Sequence, residues 1–375
     1  MMIKRKIWGF VFVVLALMII LSGCESGSSG ELSDVKDVRI FAGSVGPGDF
    51  INIEVNVTDK YIDYEVTDLG LGSDPETGRV NFIAPGSSFY QMQNADIEEA
   101  KDLFLMLGDD VLIATDKDTD GFDTGEEILT ALKEMDSSDI NDINGKYNII
   151  TSLEGAPGVV TFNPDDDTVE IDLDLNGDGD TKDSGESFGS DYSYNDTYKA
   201  VEIIEIDSKF SSFKHYGVFL DGEIGIFDSY ASEDGGTNWD GDGMSILVKQ
   251  NSSSQLSDFA GTYDFIDVDG YNGEITISVD NNNIEITFPS DEAPGGTETT
   301  EPIAVSYYEE SNTGLWKFNY DMNDNSEDEL WTMMLFEKSG EEILVVGVTE
   351  DGNEEGLFGW DGDESQGGMV LGVKQ

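Results

Sequence analysis

Apolar positions in this 375-residue chain fall mostly on every second residue. The runs INIEVNV (51–57), TVEIDLDL (168–175), AVEIIEI (200–206), EITISV (274–279), NIEITF (283–288) and LWKFNY (315–320) all alternate in this way. Successive side chains of an extended strand point to opposite faces, so these segments predict half-buried antiparallel strands with one wet face. Clusters of Asp, Asn and Gly separate the runs, and a meander of short strands fits a small barrel or sandwich. Two segments follow a helical period instead. ADIEEAKDLFLML (95–107) sets Ile97, Ala100, Phe104 and Leu107 on one face, and EEILTALKEM (126–135) does so with Ile128, Leu129, Leu132 and Met135. The expected fold is mainly β with these two short helices.

The pattern also repeats. NWDGDGMSILVKQ (238–250) returns as GWDGDESQGGMVLGVKQ (359–375), and NGKYNI (144–149) returns as AGTYDF (260–265). A fainter copy stands at the front, where GDFINIEVNVTDKYIDYEV (48–66) matches GVVTFNPDDDTVEIDL (158–173) and GEITISVDNNNIEITF (273–288). In that copy Phe122 and Asp123 fall where Trp239-Asp240 and Trp360-Asp361 fall later. Recurrence at one spacing predicts three tandem antiparallel β modules, at 38–136, 144–250 and 260–375. The first is divergent and carries the helices. Matching polar links, DSSDINDI (136–143) and NSSSQLSD (251–258), mark the boundaries. Gly-x-Tyr at the start of the later modules resembles the Gly-x-Trp opening of lipocalin-type barrels.

Ahead of the modules, Lys4, Arg5 and Lys6 precede an apolar run over 7–21 that ends in LSGC. Charge followed by an apolar run is the order of a secretion signal, and the run falls short of the roughly 20 residues that a spanning helix needs. LSGC resembles the lipobox of bacterial lipoproteins. That resemblance implies cleavage after residue 23 and a diacylated Cys24, the chain's single cysteine. A lone cysteine offers neither a disulfide nor a cysteine metal site. Glu25 replaces the aspartate that holds enteric lipoproteins at the inner membrane, so the resemblance implies an outer membrane or cell-surface address. Residues 24–37 then read as the lipidated cysteine and a flexible tether.

Charge narrows the partners. With 79 acidic and 19 basic residues the net charge is -60, and removal of 1–23 takes three basic residues and no acidic one, giving -63. Nucleic acid and anionic lipid surfaces need clustered Lys and Arg, so both are poor partners for such a surface, and no nucleic-acid partner is expected; the field favours cations. Halophilic adaptation would give the same composition. Disorder would not, since 38% of residues are hydrophobic, enough in alternating runs to cover a core.

The cation most clearly asked for is calcium. DKDTDGFDTGEE (116–127) places Asp116, Asp118 and Asp120 at positions 1, 3 and 5 of a twelve-residue loop. Gly121 makes the turn, Phe122 offers a carbonyl, Thr124 takes position 9 and Glu127 closes with two oxygens. Alternating carboxylates in a tight loop converge on one hard cation that wants six to eight oxygens. The loop resembles the EF-hand, in the single strand, loop and helix form found in bacterial surface proteins. Asp123 at position 8 and the strand-like VLIAT (111–115) before the loop depart from paired EF-hands. The repeat makes ILTALKEM (128–135) the counterpart of the strand MSILVKQ. The ligands at 124–127, absent from the other copies, favour a loop and helix in its place.

A second loop, with Asp174, Asn176, Asp178 and Asp180, has its glutamate one residue late at Glu186, with Asp183 available to compensate; calcium site and solvated turn both stand. For Asp240 with Asp242 and Asp361 with Asp363 the reading is a turn, with Trp239, Trp360 and Phe122 as plugs at the module ends.

Catalytic machinery is scarce. The single histidine, His215, lies among aromatics in FKHYGVF and reads as a packed strand residue, which leaves no usual Ser-His-Asp, Cys-His or histidine-rich zinc site. The sequence therefore leads to a non-enzymatic, lipid-anchored surface protein stabilised by calcium, with a structural or binding role. One alternative is a lipocalin-like or glycan-binding module that holds a glycan or small apolar ligand. The other is a secreted hydrolase that uses two carboxylates.

Overall fold

A computed structural model describes residues 38–45, 49–67, 75–83, 90–93, 103–107, 110–116, 127–152, 156–174, 187–205, 212–232, 240–267, 272–289, 297–308, 313–320, 329–338, 341–349 and 368–375. These form three tandem antiparallel β units. In the first, β1 (Val38–Val45), β2 (Asp49–Asn56), β3 (Tyr61–Thr67), β4 (Glu76–Ile83), β5 (Tyr90–Gln93), β6 (Leu103–Leu107), β7 (Val111–Asp116) and β8 (Glu127–Lys133) make a closed up-and-down barrel. The second barrel runs through β9 (Gly145–Thr151), β10 (Pro157–Asn163), β11 (Thr168–Leu173), β12 (Ser187–Asn195), β13 (Ala200–Glu205), β14 (Ser212–Leu220), β15 (Ile224–Ser232) and β16 (Asp240–Lys249). Direct pairing of β1 with β8, and of β9 with β16, closes the two.

The third unit repeats this order in β17 (Gly261–Asp267), β18 (Asn272–Asp280) and β19 (Asn283–Pro289). Three short pieces follow, β20 (Thr297–Thr299), β21 (Ile303–Ala304) and β22 (Ser306–Tyr307), and then β23 (Leu315–Tyr320), β24 (Glu329–Lys338), β25 (Glu341–Thr349) and β26 (Gly368–Lys374). β20 and β21 pair with β19 while β22 pairs with β23, so these pieces together occupy the place that the continuous β12 holds in the second barrel. The sheet is nearly closed through Val305, which joins β21 to β22.

Local chemistry explains the copies. The hairpins β2–β3 and β10–β11 share one turn. In the first, the Asn56 amide donates to the Asp59 carboxylate at 3.2 Å; in the second, Asn163 does the same to Asp166 at 2.9 Å. The next residue is left-handed in both, Lys60 at φ 58° and Asp167 at φ 54°. The links are alike too, since each holds a 3₁₀ turn, Asp139–Asp142 and Leu256–Phe259. Each turn begins with a backbone N–H donating to a carboxylate three residues on, Asp136 to Asp139 and Gln255 to Asp258, both at 2.7 Å.

Two sequence expectations are corrected. Where the two expected helices fall on described residues, those residues are not helical. Residues 103–107 of the first are β6, and residues 127–133 of the second are β8, paired with both β7 and β1. The repeat had pointed to a strand at 128–135, and the strand is what closes the barrel. A single wet face per strand is also too simple, because every residue of 224–230 in β15 is buried. Phe227 of that strand faces the ring cluster inside the second barrel, while Asp228 on the other face accepts a hydrogen bond from Ser44 of the first unit at 2.8 Å.

The units are thus packed against one another. One apolar cluster runs from Phe50, Ile113 and Leu132 of the first through the second to Leu315, Met334 and Val345 of the third. Buried polar groups fasten the second contact as well. Asn148 donates to the Thr313 carbonyl at 2.8 Å, and the Tyr308 hydroxyl donates to Asp174 at 2.9 Å.

Candidate functional site

Up-and-down topology sorts the connections of each barrel by end. In the second barrel the links after β10, β12 and β14 are short turns of three or four residues, 164–167, 196–199 and 221–223. Links after β9, β11, β13 and β15 leave from the opposite end, and those at 175–186, 206–211 and 233–239 are longer. The same side of the alternation carries 117–126 in the first unit and 290–296, 321–328 and 350–367 in the third. These long links are acidic: 117–126 and 175–186 hold four acids and one lysine each, 321–328 holds four acids, and 350–367 holds seven acids and no base. Rigid strands that present variable loops at one end are the usual placement of a binding face.

Asp116 and Glu127, the first and last positions of the calcium loop, face each other as a cross-strand pair at the mouth of β7–β8. Directly opposed residues of an antiparallel pair stand about 4.5–5.5 Å apart at Cα, so the backbone ends of the 117–126 link are held together. The exit element is a strand, not the helix of an EF-hand. Asp118, Asp120, Phe122 and Thr124 lie outside the described residues, as do Asn176, Asp178, Asp180, Asp183, Glu186, Cys24, Trp239 and Trp360. Asp174 is described and is buried at the end of β11, where its backbone N–H donates to the Pro157 carbonyl at 2.9 Å and its carboxylate takes the Tyr308 hydrogen bond. It fastens the second unit to the third.

The DG pair of 240–243 is not a turn. It opens β16, where Tyr230 pairs with Gly241 and Ser229 with Gly243, leaving Asp242 as the extra residue of a β-bulge. Among the described residues no group of three or more His, Cys, Asp or Glu is placed to hold a metal ion. No helix among them is long and apolar enough to cross a membrane, which says nothing of strands.

The barrel interiors are where the lipocalin-like alternative would hold a ligand, and the sequence did not show which side chains line them. In the second barrel Phe162 meets Tyr147, Tyr192 and Phe219 edge-on at centroid distances of 5.6, 5.1 and 5.5 Å. Further along the same interior His215 stacks on Phe213 and receives or gives a 2.8 Å hydrogen bond between Nδ1 and the Ser229 hydroxyl. Ser229 and His215 are two parts of a nucleophile and base pair, yet the adjacent carboxylate, Asp228, turns to the other face of the strand toward Ser44. Burial pushes the imidazole down to about 4. The folded state thus keeps His215 neutral, while the unfolded chain binds its proton near 6.5. The stability tied to this group is full above about 6.5 and is lost as pH falls toward about 4. Carboxylates also titrate there, so the readout is a difference: the stability of wild type minus that of His215→Gln should fall between neutral pH and pH 4. A flat difference would contradict the burial.

No protein-family model matches the chain, and neither does any curated protein. Among solved structures it is similar to the isotype 1 transferrin binding protein B of serogroup B Neisseria meningitidis, at 12% identity over 87% of this chain and 66% of that one, with a TM-score of 0.23. It is similar also to a variant of the transferrin binding protein B vaccine antigen of Haemophilus parasuis Hp5, at 10% identity, the same coverages and a TM-score of 0.25. A protein of unknown function from the DUF3598 family of Nostoc punctiforme matches at 10% identity over 56% of this chain and 94% of that one, with a TM-score of 0.21. The chain spans 66% of the length of the two transferrin-binding proteins it matches, and likeness at this level assigns neither family nor activity.

Proposed function

We propose that the chain is a lipid-anchored, calcium-stabilised surface protein whose acidic loop ends serve a structural or binding role. The observation that carries this reading is the sorting of the long acidic links to one end of each unit, opposite the tight turns. Calcium in the 116–127 loop would neutralise carboxylates that otherwise repel one another, and would tie β7 to β8 beyond their ladder. Sites in extracellular modules commonly hold calcium at about 10⁻⁴ to 10⁻³ M, so the ion would be a permanent brace at outside concentrations and not a signal. Diacylation at Cys24 would hold the units at a membrane, with 25–37 as the tether.

Anchoring is tested by phase partition of the full chain expressed in a bacterium that processes lipoproteins. Wild type should enter the detergent phase and take up labelled palmitate; Cys24→Ser should stay aqueous and unlabelled. Equal partition of the two would remove the lipid anchor from the account.

The binding half of the reading has a specific observation behind it. The interior of the third unit holds a cavity of about 40 Å³ lined by apolar and aromatic side chains of that single repeat.

A further inference from the structure

We propose that the third unit binds an apolar ligand group that carries no negative charge, seated inside the barrel at its long-loop end. This gives the binding role a place and a ligand class. It stands apart from the calcium and lipid assignments, since no lining residue belongs to 24, 116–127 or 174–186.

Position is the first argument. Ile286 and Phe288 lie toward the end of β19, Phe318 and Tyr320 toward the end of β23, and Val370 near the start of β26. All of these are strand ends from which the acidic links 290–296, 321–328 and 350–367 depart or return. The cavity therefore sits under the mouth of the barrel, a usual place for a ligand in this architecture.

Closure is the second. The other two barrels are sealed by direct strand pairing, whereas here the wall between β19 and β23 is made of three short pieces. On that wall Ile286 and Phe288 are only partly buried although they border the cavity, so apolar surface is left in reach of solvent. The wall beside the mouth offers an aromatic platform, with Phe318 stacked on Trp331 at 26° and 5.7 Å and Tyr320 edge-on at 6.2 Å.

Chemistry selects the ligand. At about 40 Å³ the space exceeds the roughly 10–15 Å³ that one water needs, and apolar walls leave a water few partners. Of the two lining hydroxyls, Thr300 is engaged by the Ile286 backbone N–H at 3.0 Å, and Tyr320 belongs to a ring set edge-on to Trp331 at the rim. A sugar would bury hydroxyls there without partners, at a cost of several kcal/mol. An anion would meet no cation in the lining and the field of a chain at -60. A ring or a hydrocarbon end suits both.

The test uses bromobenzene, a neutral ring whose heavy atom quenches indole emission, on the full chain without its signal. The expected result is a saturable quenching component that the conservative Trp331→Phe variant loses. Val346→Phe, which fills the cavity from β25, should weaken binding about tenfold or more. The anionic analogue 4-bromobenzoate should bind at least about tenfold more weakly than bromobenzene. Absence of a saturable component in wild type overturns the proposal. So does unchanged quenching in Trp331→Phe, which needs no larger side chain and so does not depend on whether Val346→Phe folds. Repeating the titration in chelator separates this site from the calcium reading, since the quenching should persist when calcium is removed.

Discussion

Replacing Phe162 by alanine is expected to remove about 3–5 kcal/mol of stability, the usual range for deleting a buried aromatic side chain. The ring is 2% exposed and stands at the centre of the second barrel, in edge-on contact with Tyr147, Tyr192 and Phe219. Alanine leaves a void that strands on every side resist closing, because the strands are hydrogen-bonded all the way round the barrel. A domain has only about 5–15 kcal/mol to lose, so the effect is a large share of the total. The apolar cluster that contains Phe162 continues into both neighbours, so denaturant unfolding should shift as a whole to lower concentration and not lose one unit alone. Phe162→Leu keeps most of the volume and should cost less than half as much. A loss under about 1 kcal/mol for the alanine variant would show that this cluster is not the core of the fold.

Gly43→Ala is the second large effect, for a different physical reason. Gly43 of β1 faces Ala131 of β8 at the pairing that closes the first barrel. A Cβ placed on it would lie 2.1 Å from the Thr130 carbonyl oxygen and 2.5 Å from the Ala131 Cα. Both are backbone atoms, so no rotamer change relieves the collision and the two strands must part. The expected cost is about 1–3 kcal/mol or more, as for other overpacked sites, with faster amide exchange along β1 and β8. Gly189→Ala is the control, since its Cβ would meet nothing nearer than 3.9 Å. Equal melting temperatures for the two variants would mean that the barrel is not closed where β1 meets β8.

What could be read from the sequence divides along the same physical line. Strands with one wet face were legible: the LWKFNY run is β23 and the AVEIIEI run supplies β13, because solvent forces alternation on such strands. Repeats located the copies as well, since Gly145 and Gly261 each open a unit. β8 was misread for the opposite reason. Residues 129–132 are buried at every position, between β1 and β7 and under the second unit, so ILTALKE carries no period of two and its apolar residues fall by accident on a helical face. LFLML in β6 is apolar throughout and misleads in the same manner. Contacts between units, such as Ser44 with Asp228 and Tyr308 with Asp174, join residues more than a hundred positions apart, and no local pattern announces them. Of the candidate calcium site, the ligand spacing was legible, while the pairing of Asp116 with Glu127 needed the barrel.

The measurement that tests the central claim most directly is thermal unfolding of the chain from Glu25 onward, at fixed high ionic strength, first in chelator and then with calcium. If the 116–127 loop holds the ion with a Kd of about 10⁻⁴ to 10⁻³ M, then ~10 mM calcium stabilises by about 1.4–2.7 kcal/mol through mass action. The melting temperature should rise with calcium, magnesium should not reproduce the rise, and the Asp116→Ala and Asp120→Ala double variant should lose it. A melting temperature that calcium leaves unchanged, or that magnesium and sodium raise equally, would contradict the account and leave the acidic loops as solvated turns on a surface suited to high salt.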